Sequence, residues 1–209
     1  MRRLILLNDI VTELESGSRP AGGIKLNTIG IPSVGAEHLN DQGRFNFNNV
    51  KFIPSSFFDS QKRGIIKVHD ILIVKDGATT GKTSFVDESF PFKKASLNEH
   101  VFRIAVDEKS ANPKYVFWYL FSEYGKKQIM NNFRGSTIGG ITKEFVNGVQ
   151  LYLPPIDEQH HIVQILDLAQ SLIEKRKQAI SYLDDYIKSV FLDMFGDPVS
   201  NPKGWAVGK

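Results

Sequence analysis

Asp76-Gly77-Ala78-Thr79-Thr80-Gly81-Lys82-Thr83 is the stretch of this chain whose residue types come closest to a chemical motif. A phosphate-cradling loop has glycine, four residues, then Gly-Lys-Ser/Thr, and it feeds a helix whose N-terminus holds the anion. Here three residues separate Gly77 from Gly81, Asp76 stands where the first glycine belongs, and the following Ser84-Phe85-Val86 reads as a strand. Nucleotide hydrolysis on loop 77–83 is therefore disfavoured. Two alternatives stay open for the segment: contact with a DNA phosphate through backbone N–H groups and Lys82, or a plain tight turn.

Little else in the chain offers catalysis. The five histidines are His38, His69, His100, His160 and His161, and none is spaced from another as helical metal ligands beside a carboxylate base would be. Cysteine is absent, which removes disulfides, thiolate metal sites and cysteine nucleophiles together. No serine sits in a nucleophile-elbow pattern. Phe45, Phe47, Phe52, Phe57 and Phe58 lie among Arg44, Lys51, Lys62 and Arg63. Such interleaving can stack single-stranded bases, but it reads better as the core and edge of a sheet. Arg134-Gly135-Ser136-Thr137-Ile138-Gly139-Gly140 places a base and two hydroxyls on a loop, which suits groove or phosphate contact.

The elements that must position these residues follow from pattern. Val68 through Val74 is β-branched and mostly apolar and predicts a buried strand; Ser84-Phe85-Val86 and residues 100–105 predict further strands. Asn112-Pro113 opens a helix with Asn112 as cap, running to about Lys127. Residues 149–153 alternate like a strand and end at Pro154-Pro155. A long helix begins after those prolines and stops near Phe195-Gly196. Along it Ile162, Leu166, Ala169, Ile173, Arg176, Ile180, Leu183, Ile187, Val190 and Met194 step by four and three in alternation, and nine of the ten are apolar. That average of about 3.5 residues is the seam of a left-handed coiled coil. The helix is expected to span about 57 Å at 1.5 Å per residue.

Charge divides along the same line. Residues 1–155 hold 20 Lys and Arg against 15 Asp and Glu, whereas residues 156–195 hold 4 against 7. A basic body suits an anionic partner. No apolar stretch reaches the length of a membrane span, and the run after Arg2-Arg3 is too short for a signal peptide.

Taken in order, several segments resemble the specificity subunits of type I restriction–modification systems. They are Gly17-Ser18-Arg19-Pro20, the segment 76–83, Ala95-Ser96-Leu97-Asn98-Glu99-His100-Val101, the aromatic helix after Asn112-Pro113, Gly139-Gly140-Ile141-Thr142, and Leu153-Pro154-Pro155-Ile156-Asp157-Glu158-Gln159 leading into the long helix. The resemblance implies a mixed α/β target-recognition domain at 1–155 and a long C-terminal coiled-coil helix at 156–195. Residues 196–209 would be a tail resembling the junction to a second domain. Such subunits carry two recognition domains and two antiparallel helices; with one of each, this chain reads as a half-subunit, from a split gene or cut from a longer chain.

Further expectations follow from the resemblance. The protein is cytoplasmic and non-catalytic. It binds double-stranded DNA, modification (methyltransferase) subunits and a restriction subunit. It needs no cofactor of its own, since S-adenosylmethionine, ATP and magnesium belong to those partners. The seam residues pair with a second copy as a homodimer. By loop position and chemistry, the expected DNA contacts are Arg19, Lys25, Thr79, Thr80, Lys82, Asn98, Arg134, Ser136, Thr137 and Lys143. Two alternatives remain: a nucleotide-binding enzyme using loop 77–83, and a coiled-coil assembly protein without DNA readout.

Overall fold

The computed structural model describes residues 3–24, 29–135 and 139–206. The chain divides into two compact units, residues 1–163 and 164–209. The first is a mixed α/β body built on a four-stranded antiparallel sheet of β2 (Val11–Ser16), β8 (Val101–Val106), β5 (Ile71–Val74) and β6 (Thr83–Phe85), in that order. A three-stranded sheet joins β3 (Ile31–Val34) to β4 (Lys51–Ile53) on one side and, in parallel, to β7 (Ser96–Leu97) on the other. A helix of six residues, α1 (Ser55–Ser60), follows β4.

The apolar run of β5 is buried along its whole length, because both faces of the sheet are covered. Ile71 and Ile73 pack with Phe102 and Ile104 of β8 into a core that includes Val116, Phe117 and Leu120 of helix α2 (Pro113–Phe121) and Ile129 of helix α3 (Glu123–Met130). Leu72, Val74 and Val101 turn to the other face and join Val34, Leu39, Ile66 and Leu97. The strand is shorter than its composition predicts. Residues 68–70 form a turn in which His69 adopts φ 71° and bridges Glu108 at 2.8 Å and Glu88 at 3.1 Å. The Glu108 bond holds the imidazole above its ordinary range.

Arg103 is the large buried residue that periodicity alone does not explain. It lies within β8 at 2% exposure, and its guanidinium donates to Asp70 at 2.5 Å, to Glu13, and to Glu15 at 3.3 Å. A buried cation is tolerable because acceptors surround it. Burial still pushes the Asp70 carboxyl up to about 6.

The predicted single helix after Asn112 is two. The Asn112 side chain accepts from the Lys114 and Tyr115 N–H groups and starts α2 as expected. Ser122 is extended, with ψ 156°, and its hydroxyl accepts from Gly125 N–H to cap α3. Two further pairs close the body. Strand β1 (Arg3–Leu6) runs antiparallel to β11 (Gln150–Leu153), and β9 (Phe133–Arg134) pairs with β10 (Gly140–Ile141).

Helix α4 runs without a break over Ile156–Phe195. Its 40 residues correspond to about 60 Å. Its first turns are anchored by Gln159, 1% exposed, whose amide donates to Pro154 C=O and accepts from Asn112 N–H, each at 2.8 Å. In the second unit the seam lies open: Ile173, Ile180, Leu183, Ile187 and Met194 are each about half exposed or more. Ile165, Leu168, Leu172, Tyr182 and Tyr186 widen the apolar surface beyond it. The helix stops at Gly196, with φ 78°, and the tail folds over its end: Trp205 donates its indole N–H to Phe195 C=O at 2.8 Å, and the Lys203 ammonium donates to the Met194 C=O at 2.9 Å. A cation there complements the negative end of the helix dipole.

Candidate nucleic-acid interface

The strand order gathers loops that are far apart in sequence. Neighbours in the β2-β8-β5-β6 sheet are antiparallel, with Ser16 opposite Phe102, Val74 opposite Val101 and Ile73 opposite Thr83. The end of β2, the start of β8, the end of β5 and the start of β6 therefore share one edge. Loop 17–24, loop 98–100 and loop 75–82 leave the sheet there. The β9–β10 pair is fastened to the same edge: Asp76 bridges Gly140, Ile141 N–H donates to Lys75 C=O at 2.7 Å, and Gly77 N–H donates to Gly139 C=O.

Local chemistry shapes each loop. Gly17 must lack a side chain, since a Cβ there would stand 1.8 Å from the Leu97 carbonyl oxygen. That approach lets Ser18 N–H donate to Leu97 C=O and lays loop 17–24 against loop 98–100. Loop 75–82 is the turn of the β5–β6 hairpin, with Gly77 and Gly81 at φ 88° and 83°. Three of its amides are already used: Thr80 N–H donates to Gly77 C=O, Gly81 N–H to Val74 C=O and Lys82 N–H to Thr79 C=O. A strand follows in place of a helix, so the helix N-terminus that a nucleotide-phosphate cradle requires is absent. The resemblance of loop 77–83 to such a motif is one of composition only.

The expected contact residues separate by position. Arg19, Thr79 and Arg134 are exposed on the gathered loops, and Lys82 lies just before β6. Asn98 is half-buried beside them, its side-chain carbonyl accepting from His100 N–H at 2.9 Å. Lys143 is exposed two residues beyond β10, opening the 3₁₀ turn Lys143–Asn147. Thr80 is buried, and its hydroxyl donates to Gly77 C=O at 2.6 Å, so that side chain serves the turn. Lys25, Ser136 and Thr137 lie outside the described residues.

Ser33, Lys51 and His100, which were not among the expected contacts, complete the surface. Arg19, Ser33, Lys51, Asn98 and His100 line a polar cleft of about 410 Å³. Carboxylates interleave with the bases. Arg19 pairs with Glu99 at 2.7 Å, Glu99 approaches His100, and His100 Nδ1 meets Asp76 at 2.5 Å. Lys82 pairs with Asp41 at 2.9 Å, and that hydrogen bond holds the Asp41 carboxyl below its ordinary range. Apart from the adjacent Glu99 and His100, these pairs cross 24 to 80 residues of sequence, and only the sheet brings them together. The described residues contain no group of three or more His, Asp or Glu able to hold a metal ion, and no helix long and apolar enough to cross a membrane.

The fold and its gathered loops define a single α/β module that presents a polar loop surface and continues into a long helix with an open apolar stripe. Residues 6–182 match the type I restriction modification DNA specificity domain, and the chain belongs to that family. It is 23% identical over 203 residues to the type I restriction enzyme MjaVIII specificity subunit of Methanocaldococcus jannaschii, spanning 97% of this chain and 44% of that one. The HsdS subunit from Thermoanaerobacter tengcongensis has a similar fold, with a TM-score of 0.60 and 15% identity over 99% of this chain and 51% of that one. A chain from a structure concerning complex assembly and conformational transition of the type I R-M system superposes with a TM-score of 0.67 and 19% identity, over 90% and 43% of the two chains. The chain thus spans about half the length of the relatives it matches.

Proposed function

We propose that this chain is the DNA-sequence-recognition half of a type I restriction–modification specificity assembly. The observation that carries the proposal is the gathering of three loops and the β9–β10 pair at one sheet edge, in a chain of this family. Arg19, Arg134 and Lys143 would anchor phosphates, while Asn98, Thr79 and the cleft beside Lys51 and His100 would face base edges. The body holds duplex DNA and performs no chemistry on it. Methyl transfer and cleavage, with S-adenosylmethionine, ATP and magnesium, fall to modification and restriction subunits in the cytoplasm.

The open stripe of α4 pairs with a second copy, giving a homodimer whose twofold axis calls for two equivalent half-sites. The test is selection from a randomised duplex pool by the chain together with modification subunits, followed by sequencing. A bipartite motif with matching halves is expected. Retention of partner subunits without any enriched sequence would overturn the proposal in favour of a pure assembly protein. Arg134→Ala and Lys143→Ala should each weaken binding and flatten its salt dependence by about 0.9 in slope.

A further inference from the structure

The loop surface is less basic than its residue types suggest, because two of its cations, Arg19 and Lys82, are already engaged. Arg19 is held by Glu99 at 2.7 Å and Lys82 by Asp41 at 2.9 Å. His100 lies between Asp76 and Glu99. The carboxylates come from these same loops and from the neighbouring 39–45 turn, where the Asn40 side chain accepts from Gln42 and Arg44 N–H groups and fixes the backbone beside Asp41. The Lys82 side chain is only 22% exposed and turned to that carboxylate, whereas Asp41 itself is 83% exposed. An acidic side chain at a surface meant for phosphates repels them, so its presence calls for a reason.

We infer that Asp41 and Glu99 are specificity-determining positioning residues, which hold Lys82 and Arg19 in internal ion pairs and so withhold them from DNA of the wrong sequence. This rests on the DNA-reading function proposed above. Backbone contact is independent of sequence and dominates non-specific binding. A protein that discriminates gains by weakening that contact wherever base-edge contacts are absent. Ion pairs with one solvent-exposed member, Asp41 in one and Arg19 in the other, have the right strength, since each is weak enough to be exchanged for a phosphate once the loops seat on matching bases. The arrangement also accounts for the lysine in segment 76–83: it is stored against Asp41, with no phosphate cradle behind it.

The test uses the full chain in complex with modification subunits, with fluorescence anisotropy on a labelled scrambled duplex and on the selected duplex over a salt series. Asp41→Asn and Glu99→Gln should each bind the scrambled duplex about two- to fivefold tighter, with the salt slope steeper by up to about 0.9 for each cation released. Affinity for the selected duplex should change less, so the ratio between the two falls. Asp41→Asn should give no gain in a Lys82→Ala background, nor Glu99→Gln in an Arg19→Ala background. Unchanged scrambled-duplex affinity and slope would overturn the inference. So would a gain that persists without the paired cation, which would mean that removing negative charge acts through the general field. If the unaltered complex fails to bind any duplex in a salt-dependent way, the DNA-reading function itself falls, and that result is distinct from both.

Discussion

Leu183→Glu should dissociate the proposed homodimer while leaving the chain folded. Leu183 is 60% exposed in the single chain, so the leucine contributes little to its own fold. Leucine and glutamate have similar helix propensities, and the residues at i±4, Ala179 and Ile187, carry no charge to oppose the new carboxylate. In a paired seam each leucine is instead buried, which is worth about 1.5–3 kcal/mol per copy. Twofold symmetry doubles the loss to about 3–6 kcal/mol, a rise in dissociation constant of about 10²- to 10⁴-fold. Desolvating the carboxylate adds to that. Sedimentation across a concentration series reads the mass, and circular dichroism reads the helix. Ser181→Glu, on the outward face of the same turn, is the control and should sediment as the unaltered protein does. The reasoning fails if Leu183→Glu keeps the same mass at every concentration. It fails equally if the variant loses helix as a monomer, since the leucine would then be packed within its own chain.

Three further predictions concern the body. Gln159→Leu strands the part-buried Asn112 N–H and the buried Pro154 C=O and should lower stability by about 1–4 kcal/mol, since a buried orphan costs roughly 1–3 and a part-buried one less; an unchanged urea midpoint would show that the glutamine does not anchor α4. Gly17→Ala forces a Cβ against the Leu97 carbonyl, so both the melting temperature and DNA affinity should drop, and a variant that melts and binds as before would refute the close approach. The third is a pH effect. Burial lifts the Asp70 carboxyl from 3.8 to about 6, so the folded state holds that proton more tightly than the unfolded chain does. Its contribution, about 3 kcal/mol, is complete below about pH 4 and is lost as pH rises to about 6. Asp70→Asn should remove that slope from chemical denaturation curves measured across this window; an identical slope in the variant would sink the assignment.

Much of the local structure was legible because its causes are local. Asn112-Pro113 is a cap followed by a preset first turn, and α2 begins there. The seam from Ile162 to Met194 needed only periodicity, and α4 is continuous through it. Two local readings ran too long. The Val68 strand starts at Ile71, since His69 is drawn into a left-handed turn by Glu88 and Glu108 from other segments. The aromatic helix breaks at Ser122, whose hydroxyl competes for the backbone as a cap.

The candidate interface was legible only in part. Its loops could be named from glycine, proline and basic residues, but not assembled. The pairing of Lys82 with Asp41 or Arg19 with Glu99 depends on which strand lies beside which. Arg103 could not be read at all. In sequence it is one cation in an apolar strand; its partners Glu13, Glu15 and Asp70 arrive from β2 and from the turn before β5.

By itself, the sequence determined the elements, the long helical stripe and the family resemblance, because hydrophobic period, caps and turn residues act over a few positions along the backbone. Tertiary structure alone decided that a lysine in a nucleotide-like turn is held by an aspartate, that a threonine there serves the turn, and that four separated segments share one edge. Side-chain partners across a sheet are set by strand order and register, which no stretch of residues encodes on its own.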